Sequence, residues 1–151
     1  MVVLVTVVTV ASIHLVNQSE ETRIEEQKEA IRQTIPDIND RDLEYLMSRN
    51  IYATYGTVRH NQDLDEILRS AKEEFKEKDF YHWDGGGGPI FGHGVDYLRC
   101  IEIYLYDEFP VTRATTDEIY QVIEAHARET GTNDTPVIFI RAGLIKLDTR
   151  I

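Results

Sequence analysis

After residue 50, the spacing of the apolar residues is typical of strands in some segments and of helices in others. The order of these segments limits the folds that this chain can adopt. Residues 51–58 read IYATYGTV and are rich in the β-branched and aromatic residues that favour strands. Residues 63–78 instead repeat apolar side chains every three or four positions, which is the period of a helix with one buried face. Asp63 and Glu66 have the spacing of a capping box at the start of this helix. The globular part therefore begins with a strand followed by a helix.

The second half of the chain is predicted to contain two further strands, then a second helix and a last strand. Residues 89–107 contain both strands, and the second of them alternates apolar with polar side chains. A second amphipathic helix is expected over residues 116–130, with Thr115 and Glu118 as its capping box. Residues 136–147, PVIFIRAGLIKL, are predicted to end the domain as one long strand or as a bent pair broken at Gly143.

Strand, helix, strand, strand, helix, strand is the element order of a split βαβ unit. The sequence therefore predicts an α+β protein with a ferredoxin-like βαββαβ two-layer sandwich, preceded by a long N-terminal helix. Both domain helices are expected on one face of a four-stranded antiparallel sheet. Ile101, Ile103 and Leu105 should point toward those helices. Glu102 and Tyr104 should point to the other face, which is expected to be at least partly exposed to water.

The first sixteen residues, MVVLVTVVTVASIHLV, differ in composition from the rest of the chain, and no charged side chain occurs before Glu20. Thr6, Thr9 and Ser12 recur at every third residue, which favours a helix with a narrow polar stripe. Such a helix would be about 23 Å long, somewhat less than the roughly 30 Å of a bilayer core. A membrane or assembly helix over residues 1–18 is the favoured prediction. A buried strand, which valine and threonine also favour, and a remnant signal peptide stay open.

The segment that follows, residues 19–50, is charged and helical in character. SEETRIEEQKEAIRQT has strong helix propensity, and Ile24 and Ile31 give it a thin apolar stripe. Nothing forces a break after the leader, so both segments can form one long helix that Pro36 ends. A short helix is expected over residues 41–48. The predicted organisation has three parts: an apolar helix over 1–18, a charged helix and connector over 19–50, and a globular domain over 51–151.

The charge balance of the chain disfavours one large class of partners. Sixteen Lys and Arg face 27 Asp and Glu among 151 residues, which gives a formal net charge of −11. Nucleic acid would be repelled at long range, so no nucleic-acid partner is predicted. The expected association is with a membrane or with other copies of the chain through residues 1–16, and a protein partner stays open. The single cysteine, Cys100, allows no intrachain disulfide.

The stretch HWDGGGGPIFGHGVD, residues 82–96, holds six of the nine glycines. It lacks the lysine of a phosphate-binding P-loop, and no frame has the glycine spacing of a dinucleotide fold. Its imidazoles and carboxylates are the ligand types that suit zinc, manganese or iron. The candidate metal ligands are His82, Asp84, His93 and Asp96.

The favoured interpretation of this stretch is structural. Glycines and Asp84 relieve backbone strain where a helix turns back into an edge strand, and Trp83 and Phe91 anchor the turn. A metal-dependent hydrolase built on this loop stays an alternative. The chain contains no G-x-S-x-G, H-E-x-x-H or C-x-x-C motif, so no catalytic residue and no cofactor are predicted.

The run GGGGPIFGHGVDYLRCIEIYLYDEF, followed by TTDEIYQVIEAHARETG and TPVIFI, resembles uncharacterised exported or cell-surface domains of archaeal, methanogen-type proteins. The resemblance covers residues 84–140, and it implies a location without supplying catalytic residues. Together with the leader it leads us to expect a non-enzymatic extracytoplasmic binding or interaction domain, anchored to a membrane by its N-terminal helix. The alternative is a pilin-like filament subunit whose N-terminal helices pack in the filament core.

Overall fold

The computed structural model describes residues 3–83 and 86–143, and the side chains of residues 19–82 and 87–143. In chain order the elements are α1 (Val3–Thr34), α2 (Asp40–Met47), β1 (Ile51–Tyr55), α3 (Leu64–Glu77), β2 (His82–Trp83), β3 (Gly86–Gly87), β4 (Ile90–Val95), β5 (Ile101–Tyr106), α4 (Arg113–Glu129) and β6 (Val137–Ala142). The α+β class that the sequence predicts is confirmed.

Four of the strands form a mixed sheet in the order β1-β6-β5-β4. β1 is antiparallel to β6 and β4 is antiparallel to β5, whereas the two central strands, β5 and β6, are parallel. The expectation of a wholly antiparallel sheet is therefore wrong for the central pair. The reason is the connection, because α4 is long enough to carry the chain back to the end of the sheet at which β5 begins.

The strand order does not clearly match the ferredoxin-like arrangement. The last strand, β6, lies between β1 and β5, which leaves the first strand at the edge of the sheet. The number of main strands and their sequence along the chain are as expected. What differs is which of them become neighbours.

The side chains of β5 that face α3 and α4 are the ones that the alternation of apolar and polar residues in β5 predicts. Ile101, Ile103 and Leu105 are fully buried there. They belong to a hydrophobic cluster that also contains Phe75 of α3 and Ile123 of α4. Both domain helices therefore cover the same face, as the sequence predicts.

The other face of the sheet is also covered. Ile31, Leu43 and Leu46, from the end of α1 and from α2, form a second hydrophobic cluster with Ile138 and Ile140 of β6. Helices thus lie on both sides of the sheet, and the predicted two-layer sandwich omits the layer formed by α1 and α2. This layer forms because α2 has an apolar side, and its leucines are buried by packing on the sheet.

Helix α1 is continuous from the leader into the charged segment and spans 32 residues, or roughly 48 Å. A buried strand over the leader is therefore wrong, and a single long helix is confirmed. The described side chains of residues 19–23 are exposed, and from residue 19 onward the first fully buried side chain of the helix is Ile31. The side chains of residues 1–18, on which the membrane or assembly prediction depends, lie outside the described part. None of the helices that the described residues form is long and apolar enough to cross a membrane.

The helix caps show how local sequence sets the element boundaries. Asp63 is the N-cap of α3 and accepts a hydrogen bond from the amide of Glu66 at 3.1 Å, as predicted. The N-cap of α4 is Thr112, which forms a capping box with Thr115. The predicted box of Thr115 and Glu118 is wrong by one turn, because Thr112 has the same spacing to Thr115 and begins the helix three residues earlier.

Candidate functional site

The glycine-rich stretch forms a small hairpin in front of the edge strand β4. β2 and β3 pair antiparallel, with His82 opposite Gly87 and Trp83 opposite Gly86. The two residues between these strands, Asp84 among them, lie outside the described residues. The prediction that this stretch leads into an edge strand is confirmed, whereas the side chain of Trp83, which was expected to anchor the turn, lies outside the described residues.

Two of the glycines are required because backbone segments approach each other closely. A Cβ atom on Gly87, whose φ is 120°, would lie 2.2 Å from the carbonyl oxygen of Tyr81. A Cβ atom on Gly88 would lie 2.3 Å from the carbonyl oxygen of Asp79. No side chain fits at either distance, so the hairpin needs glycine for packing rather than for a ligand.

The two histidines of the candidate metal site lie on opposite faces of the sheet. The ring of His82 stacks on Tyr106 with 4.2 Å between centroids. His93 has its Nε2 atom 2.7 Å from the hydroxyl of Tyr81, which belongs to the cluster beneath α3 and α4. Leu105 also faces that cluster, so its neighbour Tyr106 faces the other side. His82 and His93 therefore cannot contact one ion.

The environment of His93 is that of a packed core-edge residue. Burial and the nearby Lys72 ammonium lower the pKa of its imidazole. Burial and the Glu73 carboxylate raise the pKa of its partner Tyr81 to about 12. Both groups therefore stay neutral at neutral pH and share one hydrogen bond.

Asp96 is at the far end of β4, roughly 20 Å along the strand from the hairpin. Its Oδ1 atom accepts a hydrogen bond from the amide of Cys100 at 2.8 Å, which closes the turn between β4 and β5. Burial raises the pKa of the Asp96 carboxyl and also that of the Cys100 thiol. Among the described residues, no group of three His, Cys, Asp or Glu side chains is placed to hold a metal. The structure thus does not bring His82, His93 and Asp96 together.

A partly buried ion pair, which the sequence did not indicate, lies beside α2 on the second face of the sheet. Arg49 contacts Glu102 with 2.7 Å between Nη1 and Oε1, and it donates a further hydrogen bond to the hydroxyl of Tyr104 at 3.2 Å. Tyr104 also bonds to Glu102. The alternation in β5 placed Glu102 on this face, but nothing in the sequence indicated that α2 would cover it.

The two exposed tyrosines at the edge of this face contact each other. The rings of Tyr45 in α2 and Tyr97 in the turn after β4 lie 6.3 Å apart. The hydroxyl of Tyr97 donates to Asp42 at 2.9 Å, and the guanidinium of Arg49 lies 5.6 Å from the centre of the Tyr45 ring. These contacts hold both rings in place at the surface, in a composition that is typical of protein interfaces.

A groove runs between α1 and α2, with a volume of about 650 Å³. Ile24 on α1 and Leu43 and Met47 on α2 supply its apolar lining. Arg23 and Arg32 of α1 also line it. Only the apolar stripe of Ile24 and Ile31 could have indicated this groove from the sequence, because the docking of α2 creates its second wall.

Comparison with protein-family models, with curated proteins and with solved structures found no match for this chain. Functional conclusions therefore depend on the fold and on the surfaces described above.

Proposed function

We propose that this protein is a non-enzymatic interaction domain that its N-terminal helix displays on the outer side of a membrane. The observation that carries the proposal is the continuity of α1. One helix joins the uncharged leader to the folded domain without a break, and among its described side chains Ile31, in the last turns, packs with the sheet. A rigid helix of this kind sets the distance and the orientation of the domain relative to whatever covers the leader.

The cost of exposing the leader supports the tether. Each valine, leucine or isoleucine side chain contributes about 1.5 to 3 kcal/mol when it is removed from water. Ten such residues occur between Val2 and Val16. Lipid or the leaders of other copies can provide the apolar surroundings that these side chains require.

The charges that follow the leader support the extracytoplasmic side. The first charged residues are Glu20 and Glu21, and Arg23 follows as an isolated cation. Segments retained on the cytoplasmic side of a membrane are enriched in Lys and Arg, whereas this flank is acidic. An acidic domain of net charge −11 would also stay apart from anionic lipid headgroups.

The test uses the full chain with an altered leader. We expect the native chain to be recovered with the membrane fraction, and a Val5→Gln, Val8→Gln, Leu15→Gln variant to move to the soluble fraction. The matched control, Thr6→Val with Thr9→Val, should stay with the membrane. Protease added to intact cells should cleave the native domain. A native chain that is recovered as soluble protein would contradict the tether, and a protected domain would contradict the outward orientation.

A second candidate, a pilin-like filament subunit, is favoured by the uncharged composition of the leader. The leaders of other copies could cover its apolar side chains as well as lipid does, by packing in a shared core. Electron microscopy of detergent-free native material distinguishes the candidates, because filaments produce regular fibres and a membrane tether produces decorated vesicles.

A further inference from the structure

We propose that the free edge of β4 pairs with the same strand of a second copy of this chain, so that two sheets join into one. The paired strands run antiparallel about a two-fold axis at Gly94. The inference goes beyond the proposed function, because it concerns the folded domain and does not depend on what covers the leader.

The two edges of the four-stranded sheet differ in what lies next to them. At the β1 edge, α1 contacts the strand, and the hydroxyl of Thr54 donates to the carbonyl of Ala30 at 3.3 Å. At the β4 edge, the β2–β3 hairpin covers only the start of the strand, where Tyr81 forms a bridge with Ile90. The rest of β4 is half-buried, and no strand lies on its outer side within the described part of the chain.

The main-chain groups of His93 and Val95 point away from the sheet. The amide of Asp96 donates to the carbonyl of Cys100 at 3.0 Å, which makes these two a hydrogen-bonded pair of the β4–β5 ladder. Such pairs recur at every second residue, so Gly94 also bonds to β5, whereas His93 and Val95 direct their N–H and C=O groups outward. No other described residue bonds to these four groups. The edge therefore offers two donors and two acceptors to another strand.

Gly94 leaves room for a second strand to approach closely. A Cβ atom on this residue would meet nothing within 4 Å, so the space beside it is open. With the axis at Gly94, the glycine faces its own copy in a non-hydrogen-bonded pair, in which the Cα atoms approach to about 4.5 Å. His93 then faces Val95 of the second copy, and each outward donor meets an outward acceptor. The edge is thus complementary to itself.

The distribution of charge favours a second copy as the occupant of this edge. Two copies repel each other at long range, because each has a formal net charge of −11. Residues 85–95 carry no charged side chain and form the longest uncharged run after Glu20. Native edge strands are often protected by charged side chains, particularly lysine, which β4 lacks. Two copies can therefore meet along β4 without bringing like charges of the paired strands together.

The length of the free edge determines the strength of the contact. Only the part of β4 beyond the bridge at Ile90 is open to another strand. A strand pair this short buries little surface compared with permanent interfaces. The dimer therefore forms reversibly and at high protein concentration.

Charged variants of Gly94, made in the full chain and kept in mild detergent, test the pairing. We expect the native chain to dimerise, and Gly94→Glu and Gly94→Lys each to raise the dissociation constant at least tenfold, because the two-fold axis places like charges opposite each other. An equimolar mixture of the two variants should dimerise more tightly than either variant alone, because opposite charges then face each other. Sedimentation equilibrium measures the association, and urea unfolding confirms that each variant is folded.

Two controls separate the pairing from general effects of charge and of substitution. Gln121→Glu adds the same charge at an exposed position of α4 and should dimerise like the native chain. Gly94→Ala should also dimerise, because its methyl group is small and uncharged. A native chain that stays monomeric at high concentration, charged variants that dimerise normally, or a mixture that is no tighter than its components would each overturn the pairing.

Hydrogen exchange of the native chain provides a measurement that needs no variant. The amides of His93 and Val95 should exchange more slowly as the protein concentration rises, whereas the amide of Gly94, which bonds to β5, should be protected at every concentration. Exchange of His93 and Val95 that does not depend on concentration would overturn the pairing. Membrane fractionation of the native chain reports separately on the tether, so the two failures are distinguishable.

Discussion

At the scale of single residues, Glu102 is the buried charge that most depends on a partner. Its side chain is 8% exposed beneath α2, and Arg49 supplies the compensating cation. We expect Arg49→Met to lower the free energy of unfolding by about 3 kcal/mol, because it leaves an uncompensated carboxylate. An Arg49→Met, Glu102→Met double variant should lose clearly less than the sum of the two single variants, as measured by urea unfolding. Additive losses would contradict the pairing.

Glu124 makes the stability of the loop before β6 depend on pH. Burial opposes its ionisation, but hydrogen bonds from Thr135 and from the amide of Asp134 outweigh burial and lower the pKa of the Glu124 carboxyl from 4.5. A carboxyl whose pKa is lower in the folded state stabilises the fold above its unfolded pKa. That stabilisation is lost as the pH falls through the folded pKa.

The corresponding variant is Glu124→Gln. We expect it to lower the free energy of unfolding by roughly 2 kcal/mol at pH 7, because the uncharged amide has one acceptor oxygen for the two backbone amides of Asp134 and Thr135, and its nitrogen cannot accept from the other. The difference from the native chain should shrink as the pH falls from 7 through the folded pKa, where the native carboxyl becomes protonated as well. Urea unfolding over a series of pH values gives the comparison, and a difference that does not change with pH would contradict the assignment.

At the scale of elements, two substitutions near the start of α4 distinguish the observed helix cap, Thr112, from the predicted capping box of Thr115 and Glu118. Thr112 accepts a hydrogen bond from the amide of Thr115, whereas Glu118 is exposed one turn further on. We expect Thr112→Ala to cost about 1 kcal/mol of unfolding free energy, and Glu118→Ala to change it by less than about 0.5 kcal/mol. Thermal and urea unfolding measure both. Equal losses would place the cap elsewhere.

Two glycines of the glycine-rich stretch differ in what surrounds them. A Cβ atom on Gly88 would clash with the backbone of Asp79 and Phe80, whereas a Cβ atom on Gly94 would meet nothing within 4 Å. We expect Gly88→Ala to destabilise the fold by about 2 kcal/mol, and Gly94→Ala to be tolerated within about 0.5 kcal/mol. Comparable stabilities for the two variants would show that the hairpin does not require glycine at its base.

The elements themselves could be predicted because each depends on local periodicity. The stripe from Leu64 to Phe75 and the alternation in β5 both appear in the structure as buried faces. The strand order could not be predicted, since it depends on which strands pair after α4 returns the chain. The placement of His82 and His93 depends on the hairpin and on the irregular pairing between Ile90 and Gly92, neither of which leaves a periodic signal.

At the scale of the whole molecule, the layer formed by α1 and α2 would link the proposed tether to the domain. Ile31 of α1 and Ile35, which follows the last residue of α1, are buried with Ile138 and Ile140 of the sheet. Under the proposed function, these packed side chains would transmit a force on the leader to the sheet. The sequence indicated the thin apolar stripe of Ile24 and Ile31 in this segment, but periodicity alone does not show which surface of the domain covers that stripe.

The state of the native chain in water tests the central claim, that the leader must be covered, most directly. Sedimentation of the purified full chain in detergent-free buffer at micromolar concentration provides the measurement. We expect species far larger than one chain of 17.4 kDa, because the uncharged leader associates with other leaders when lipid is absent. A homogeneous 17.4 kDa monomer that stays in solution under these conditions would contradict the account.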